Sequence, residues 1–445
     1  MFWEKEGKLI YSYDGETVCI EAWGKDALRV RATKNRSFTG RDWAAGSKGR
    51  AWQGEVEIFE DPSAKGGAFA NMYEGTDTSY GKITNGKLHA VIDSGSVITF
   101  YHEDGRVLLK EHFRRLRDEE SMPLNIMGRE YSNGVGDNFR IVARFVARKG
   151  EKIFGMGQYQ QHELDLKGCM LELAQRNSQV SVPFYLSSIG YGFLWNNPGV
   201  GQVMFANNGT EWVTESGKEI DYLVIAGDTP AEIEENYMTL TGKPPMMPEY
   251  GMGFWQCKLR YWNQEQLLSV ARKYKELGVP LDVIVVDFFH WTKQGEFKFD
   301  PKYWPDVPGM CRELKEMGIQ VVVSVWPTVD IYSENFEEMK EKGYLVRTEH
   351  GVPLTMLCGG NEVFFDATNP DARTYVWEKI KKNYYDQGAK LFWLDVAEPE
   401  YSVYDFKNYR YQLGSVQEVG NIYPKYYLKA FYDGMTQKAI LCQSA

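Results

Sequence analysis

The chain has 445 residues, 43% hydrophobic, 14% aromatic and 25% charged, which is ample for more than one packed core and unlike the polar, aromatic-poor composition of a disordered chain. Its 51 Lys and Arg against 61 Asp and Glu leave a formal charge of −10, a field that repels phosphate backbones and anionic lipid surfaces, so neither nucleic acid nor a membrane is expected as a partner. Scattered cysteines with no C-x-x-C pair and no nearby histidines suggest neither a zinc site nor a disulfide framework. With no basic-then-apolar leader and no long apolar run, a cytoplasmic protein is expected.

Up to Gly242 the apolar residues recur at every second position, as in Leu28, Val30 and Ala32 between Arg29 and Arg31, or Ile141, Ala143 and Phe145. That is strand periodicity. Turn dipeptides such as Asp14-Gly15, Asn85-Gly86 and Asp104-Gly105 separate the runs, so residues 1–242 are predicted to form an antiparallel β-sandwich. A short helix is predicted over Ala231–Tyr237 behind Thr229-Pro230, and the prolines of Gly242–Pro248 mark a linker.

From 243 to 445 short apolar runs alternate with amphipathic helices, the grammar of β/α units feeding a parallel sheet. Strands are predicted at Met252–Gln256, Leu281–Phe288, Ile319–Trp326, Lys390–Asp395 and Ala439–Cys442, with helices Gln264–Leu277 and Pro308–Met317 each stopped by a glycine. A closed β/α barrel needs eight strands, so a barrel built from these runs stops early. The remaining strands are expected in a longer natural polypeptide, and the 445 residues alone are expected not to turn over substrate.

In such an architecture chemistry gathers at the C-terminal ends of the strands. Asp287 and Asp395 terminate apolar runs there, each open to a plainer reading as a helix cap or an arginine partner. Trp255, Phe288, Phe289, Trp291, Trp326 and Trp393 fall at or just past the same strand ends. Any one of them is read more simply as core, but six on one rim beside Asp287, His290, Asp395 and Glu398 suit a carbohydrate pocket, whose aromatic faces pack on sugar C–H surfaces. With no second histidine nearby, His290 reads as a hydrogen-bonded wall residue rather than a metal ligand. Asp330 stays ambiguous.

The run Phe392-Trp393-Leu394-Asp395-Val396-Ala397-Glu398-Pro399-Glu400 resembles the W-x-D-x-x-E nucleophile signature of glycoside hydrolase family 31, the retaining α-glucosidases and α-xylosidases. Gly251–Gln256 resembles that family's first barrel strand, Asp287–Trp291 with Phe299-Asp300-Pro301 its second strand and loop, and Leu166–Gly168 and Tyr191–Pro198 its N-terminal sandwich. The resemblance implies a multidomain fold, an antiparallel β-sandwich followed by a (β/α)8 TIM barrel that is incomplete in this chain.

It further implies a double displacement on a terminal α-xyloside or α-glucoside. Asp395 matches the nucleophile, and Asp287 the aspartate that binds hydroxyls of the sugar. Trp326 matches an aromatic wall, Trp393 beside Asp395 is a further substrate-binding candidate, and Phe288 and Phe289 resemble a plug over the space of a glucoside's C6 hydroxymethyl. Glu398 matches a supporting carboxylate, or starts a helix. Two departures stand out: Gln443 replaces the arginine of a family Arg-Ser-Ala strand end, and the family's acid/base aspartate has no counterpart before residue 445. A catalytically silent sugar-binding relative or fragment is therefore the alternative to a glycosidase, and an unrelated barrel enzyme a third reading. No cofactor or metal is called for, the partner is an oligosaccharide or glycoside, and a homo-oligomer is compatible with the sequence.

Overall fold

In a computed structural model the chain divides into two compact units, Met1–Pro244 and Pro245–Ala445. The structure describes all residues except 47–51, 63–77, 117–123, 350–354, 357–359, 403 and 444–445, and leaves out the side chains of 114–116, 124–125 and 437–443.

The first unit is antiparallel β throughout its main sheets. An eight-stranded sheet runs in the order Phe2–Lys5, Lys8–Tyr13, Glu16–Ala22, Ala27–Thr33, Ile220–Ala226, Tyr191–Trp195, Val180–Ser187, Ile153–Gln158, accompanied by two five-stranded sheets. Asp14 and Gly15, at φ of 50° and 73°, make the two-residue turn between the second and third of these strands, because two consecutive left-handed residues give a hairpin turn the twist of its strands. The alternating apolar positions pack into a large core that includes Leu28, Val30, Ile141, Phe193, Trp195, Trp212 and Tyr222.

The polar face of Ala27–Thr33 is not solvated: Arg29 is fully buried, its guanidinium donating to Asp221 at 2.9 and 2.6 Å and to Asp42 at 3.0 Å, with the Trp23 ring centroid 4.4 Å from its Cζ. The helix Pro230–Thr241 supplies the cover, packing Ile233 and Leu240 with Trp23, Ala27, Leu223 and Ile225 in a second core. That helix extends beyond the predicted Ala231–Tyr237 at both ends, with the Thr229 side chain accepting from the Glu232 N–H as its N-cap.

The second unit holds a parallel sheet in the order β1 (Trp255–Gln256), β2 (Val283–Val286), β3 (Gln320–Val325), β4 (Leu391–Leu394). Helices α1 (Gln264–Glu276) and α2 (Val307–Glu316) connect the first three strands, and α3 (Pro370–Ile380) leads to β4 through a π-helical turn, Lys381–Tyr385. Asn263, Asp306 and Asn369 cap the three helices with their side-chain oxygens. Val283–Val286 is buried at all four positions, as expected for a strand covered on both faces.

The predicted fifth strand is not formed. Ala439–Cys442 continues the last helix, α4 (Tyr423–Gln443), because a short apolar run has no periodicity of its own and the pattern before it, Tyr423, Tyr427 and Phe431, has helical spacing. Among the described residues the parallel sheet has four strands and does not close. No helix among them is long and apolar enough to cross a membrane.

Candidate active site

The C-terminal ends of the four parallel strands run directly into Cys257, Asp287, Trp326 and Asp395. Adjacent strands then pair these residues in the same way twice. Asp287 accepts from the Phe288 N–H through Oδ1 at 2.7 Å, and its Oδ2 takes the thiol of Cys257, from the preceding strand end, at 3.4 Å. Asp395 accepts from the Val396 N–H through Oδ1 at 3.1 Å, and its Oδ2 takes the indole N–H of Trp326, from the preceding strand end, at 3.1 Å. Each carboxylate is thereby oriented by its own backbone and by one neighbouring side chain, which leaves further lone pairs on both oxygens.

Burial pushes the Asp395 carboxyl above its usual range; the Val396 N–H and the Trp326 indole oppose this, while the charges of Asp287 and Glu400 add to it. The Cys257 thiol is pushed up to about 11, mainly by burial and then by its contact with Asp287. It is therefore a protonated donor to the carboxylate. Glu398 is also raised by burial, with Glu400 and Asp395 adding to it, and its Oε2 has no hydrogen-bond partner among the described residues.

An aromatic cluster surrounds Trp326. Its ring centroid lies 5.5 Å from Phe288, 6.5 Å from Phe289 and 5.9 Å from Trp291. The chain reverses at left-handed residues just past each aspartate, Phe289 at φ 60° and Val396 at φ 56°. For a β-branched valine this conformation is strained, the kind of cost a fold retains where the geometry is over-determined.

His290 is buried, and both ring nitrogens are engaged: Nδ1 with the Asp287 carbonyl at 2.9 Å, Nε2 with the Tyr384 hydroxyl at 2.9 Å. A carbonyl only accepts, so Nδ1 carries the proton; burial lowers the imidazole to about 4, and the neutral Nε2 then accepts from Tyr384. The Phe299 ring packs on both His290 and Tyr384, at 4.9 and 5.1 Å, which ties the Phe299-Asp300-Pro301 segment to the same loop.

The structure thus brings Asp287, Phe288, Phe289, Trp326 and Asp395 together. Trp393 stands apart, 48% exposed and in no ring pairing among the described residues, and the Trp255 indole turns back to the Gly251 carbonyl at 3.2 Å. Asp330 is buried on a short strand, where its side chain accepts from the Tyr332 N–H. Gln443 lies in the last turn of α4 rather than at a strand end, and its side chain is outside the described residues. Sequence reasoning passed over Cys257, although it directly follows a strand and the strand-end rule would have found it. It also passed over Tyr384, which arrives through a π-helical turn that has no sequence signature. Among the described residues no three His, Cys, Asp or Glu side chains converge as a metal site.

Residues 244–442 match the sequence profile of the Glycosyl hydrolases family 31 TIM-barrel domain. The chain is 45% identical over 443 residues to "Uncharacterized family 31 glucosidase ORF2" of Pseudescherichia vulneris, an alignment covering 97% of this chain and 80% of that protein. Against alpha-xylosidase A of Aspergillus niger it is 30% identical over 454 residues, covering 94% of this chain and 59% of the relative. Its fold is similar to the crystal structure of a GH31 alpha-xylosidase from a soil metagenome, complexed with xylose, with a TM-score of 0.90 at 50% identity, covering 98% of this chain and 64% of that one. This chain accordingly spans less than two thirds of the length of the last two proteins.

Proposed function

Because this chain belongs to glycoside hydrolase family 31, we propose that it acts on terminal α-xylosides by a retaining double displacement with Asp395 as nucleophile. Asp395 attacks the anomeric carbon as the bond to the leaving oxygen breaks; that oxygen takes a proton from a carboxylic acid, and water then hydrolyses the glycosyl ester. No described residue is assigned as the acid. Asp287 holds hydroxyls of the sugar in the cleaved subsite, and Trp326 is its wall. Glu398, its carboxyl raised by burial, supports Asp395 through hydrogen bonding.

The observation that carries this reading is the pairing of Asp395 with the Trp326 indole beside the Phe288 and Phe289 rings. In this reading those two rings act as a plug over the space that a glucoside's C6 hydroxymethyl would need, which favours xylosides over glucosides. One excluded group of that size is worth about 1–3 kcal/mol, or tens to a few hundred fold in kcat/KM. Of the three relatives given above, two are named α-xylosidases and one, uncharacterized, a glucosidase. A reducing cytoplasm is the compartment we propose, in keeping with the free thiols of Cys19, Cys169, Cys257 and Cys311. The test is hydrolysis of nitrophenyl α-xyloside against nitrophenyl α-glucoside by the complete encoded polypeptide, together with trapping of the nucleophile by a fluorinated slow xyloside. Faster glucoside cleavage removes the plug, and a label on Asp287 or Glu398 removes the nucleophile assignment.

A further inference from the structure

Trp326 stands where two ladders meet. On one side β3 pairs in parallel with β4, Val325 opposite Leu394, and on the other the short strand Thr328–Asp330 pairs antiparallel with Glu362–Phe364. Trp326 and Pro327 belong to neither ladder, so the residue whose indole N–H donates to Asp395 is not fixed by strand pairing.

Helix α4 supplies the hold. The Tyr427 hydroxyl donates to the Val325 carbonyl at 2.8 Å, and that same carbonyl takes the Asp395 N–H at 3.1 Å. One turn earlier the Tyr423 hydroxyl donates to the Phe365 carbonyl at 2.8 Å, while the Phe365 N–H donates to the Pro327 carbonyl at 2.9 Å. The Phe365 ring lies against both tyrosine rings, at 5.7 and 6.5 Å. Residues four apart share one face of a helix, so a single element reaches the backbone on both sides of Trp326.

Both tyrosines are fully buried. Packing alone would be served by phenylalanine, and a buried hydroxyl costs free energy unless it finds an acceptor. Other buried tyrosines satisfy one another, Tyr185 with Tyr191 and Tyr401 with Tyr411. Tyr423 and Tyr427 instead engage main chain that flanks the nucleophile's indole donor.

We propose that Tyr427 and Tyr423 are positioning residues for the nucleophile: through the Val325 and Phe365 carbonyls they fix the backbone around Trp326, and with it the indole N–H on Asp395 Oδ2. The proposal rests on the assignment of Asp395 above and extends the machinery that governs its charge to α4.

The test is the pH dependence of kcat/KM, on the faster of nitrophenyl α-xyloside and α-glucoside, for the complete encoded polypeptide and its Tyr427→Phe, Tyr423→Phe, Trp326→Phe and Tyr427→Phe/Trp326→Phe variants. Asp287, Glu398 and Glu400, the carboxylates whose charges also bear on Asp395, are intact in all of them. Loosening the indole weakens a hydrogen bond to the carboxylate, so the acid limb should move to higher pH, by about 0.5 pH unit in Tyr427→Phe and by less in Tyr423→Phe. In the Trp326→Phe background Tyr427→Phe should move it no further, because the group it positions has gone. Tyr185→Phe, which removes a buried hydroxyl from the first unit, controls for lost stability and should leave the limb in place. A limb unmoved in Tyr427→Phe would make that hydroxyl merely structural and overturn the proposal. An equal shift with and without Trp326 would show that Tyr427 acts on Asp395 directly, which overturns it too, and a limb unmoved in Tyr423→Phe would overturn the part given to Tyr423. Wild-type protein inert towards both glycosides would instead defeat the nucleophile assignment, and the proposal with it.

Discussion

Asp395 sits between influences of opposite sign. The repulsion from Asp287 raises its carboxyl and the Trp326 indole lowers it. A nucleophile must be ionised, so the acid limb of kcat/KM follows its pKa in the free enzyme. Asp287→Asn should therefore move that limb to lower pH, and Trp326→Phe to higher pH; a shared direction would contradict the geometry. Asp395→Asn removes the attacking charge itself and should cost several powers of ten in turnover, on the order of 4 kcal/mol or more in the barrier. Cys257 offers a check that needs no activity. Though exposed, its thiol is pushed up to about 11, against 9.0 ordinarily, so its thiolate population at neutral pH falls by about a hundredfold. Alkylation by iodoacetamide, followed by mass spectrometry, should find Cys257 slower than a free cysteine, and faster in Asp287→Asn.

At the level of elements, the π-helical turn Lys381–Tyr385 matters because it delivers one hydroxyl. Tyr384→Phe would leave His290 Nε2 buried without its donor, at a cost of about 1–3 kcal/mol measurable by urea denaturation. A change below about 0.5 kcal/mol would mean that the hydroxyl is dispensable. This contact also marks where sequence reading stops. The strands ending at Val286 and Val325 were legible because β-branched runs between glycine-stopped helices admit one interpretation, and the aspartate and tryptophan that follow them could be named from position. Tyr384 was not, since a π turn shifts a side chain around the helix without altering the apolar pattern. Ala439–Cys442 was misread because four apolar residues fit strand and helix equally. The burial of Arg29 had no signal in the sequence, because alternation records what one face of a sheet lacks, not what later covers it.

Across the whole molecule, the two units differ in how completely they satisfy their own backbone and core. The first closes a continuous apolar core and buries an ion-paired Arg29; Arg29→Met would strand Asp221, 1% exposed, without its cation and should cost about 3–5 kcal/mol. In the second, β1 and β4 each have one strand neighbour among the described residues, and Trp255 and Trp393 beside those edges are 39% and 48% exposed. Unpaired strand edges recruit other strands. The 445-residue chain by itself is therefore expected to self-associate at micromolar concentration in sedimentation velocity, and a clean monomer would count against this.

The sandwich core also has an optical consequence. Trp195 and Trp212 are both fully buried, with ring centroids 5.5 Å apart and planes inclined by 21°, and Tyr185 lies over Trp212 at 6.2 Å and 14°. Rings held this close and this immobile couple their electronic transitions, so they should dominate the near-ultraviolet circular dichroism, a signal that vanishes once fixed packing is lost. Trp262 and Trp393, exposed as they are, contribute little to it but are open to collisional quenching by iodide. The tryptophans thus carry two label-free signals, circular dichroism from the rings packed in the first unit and fluorescence quenching from the exposed rings.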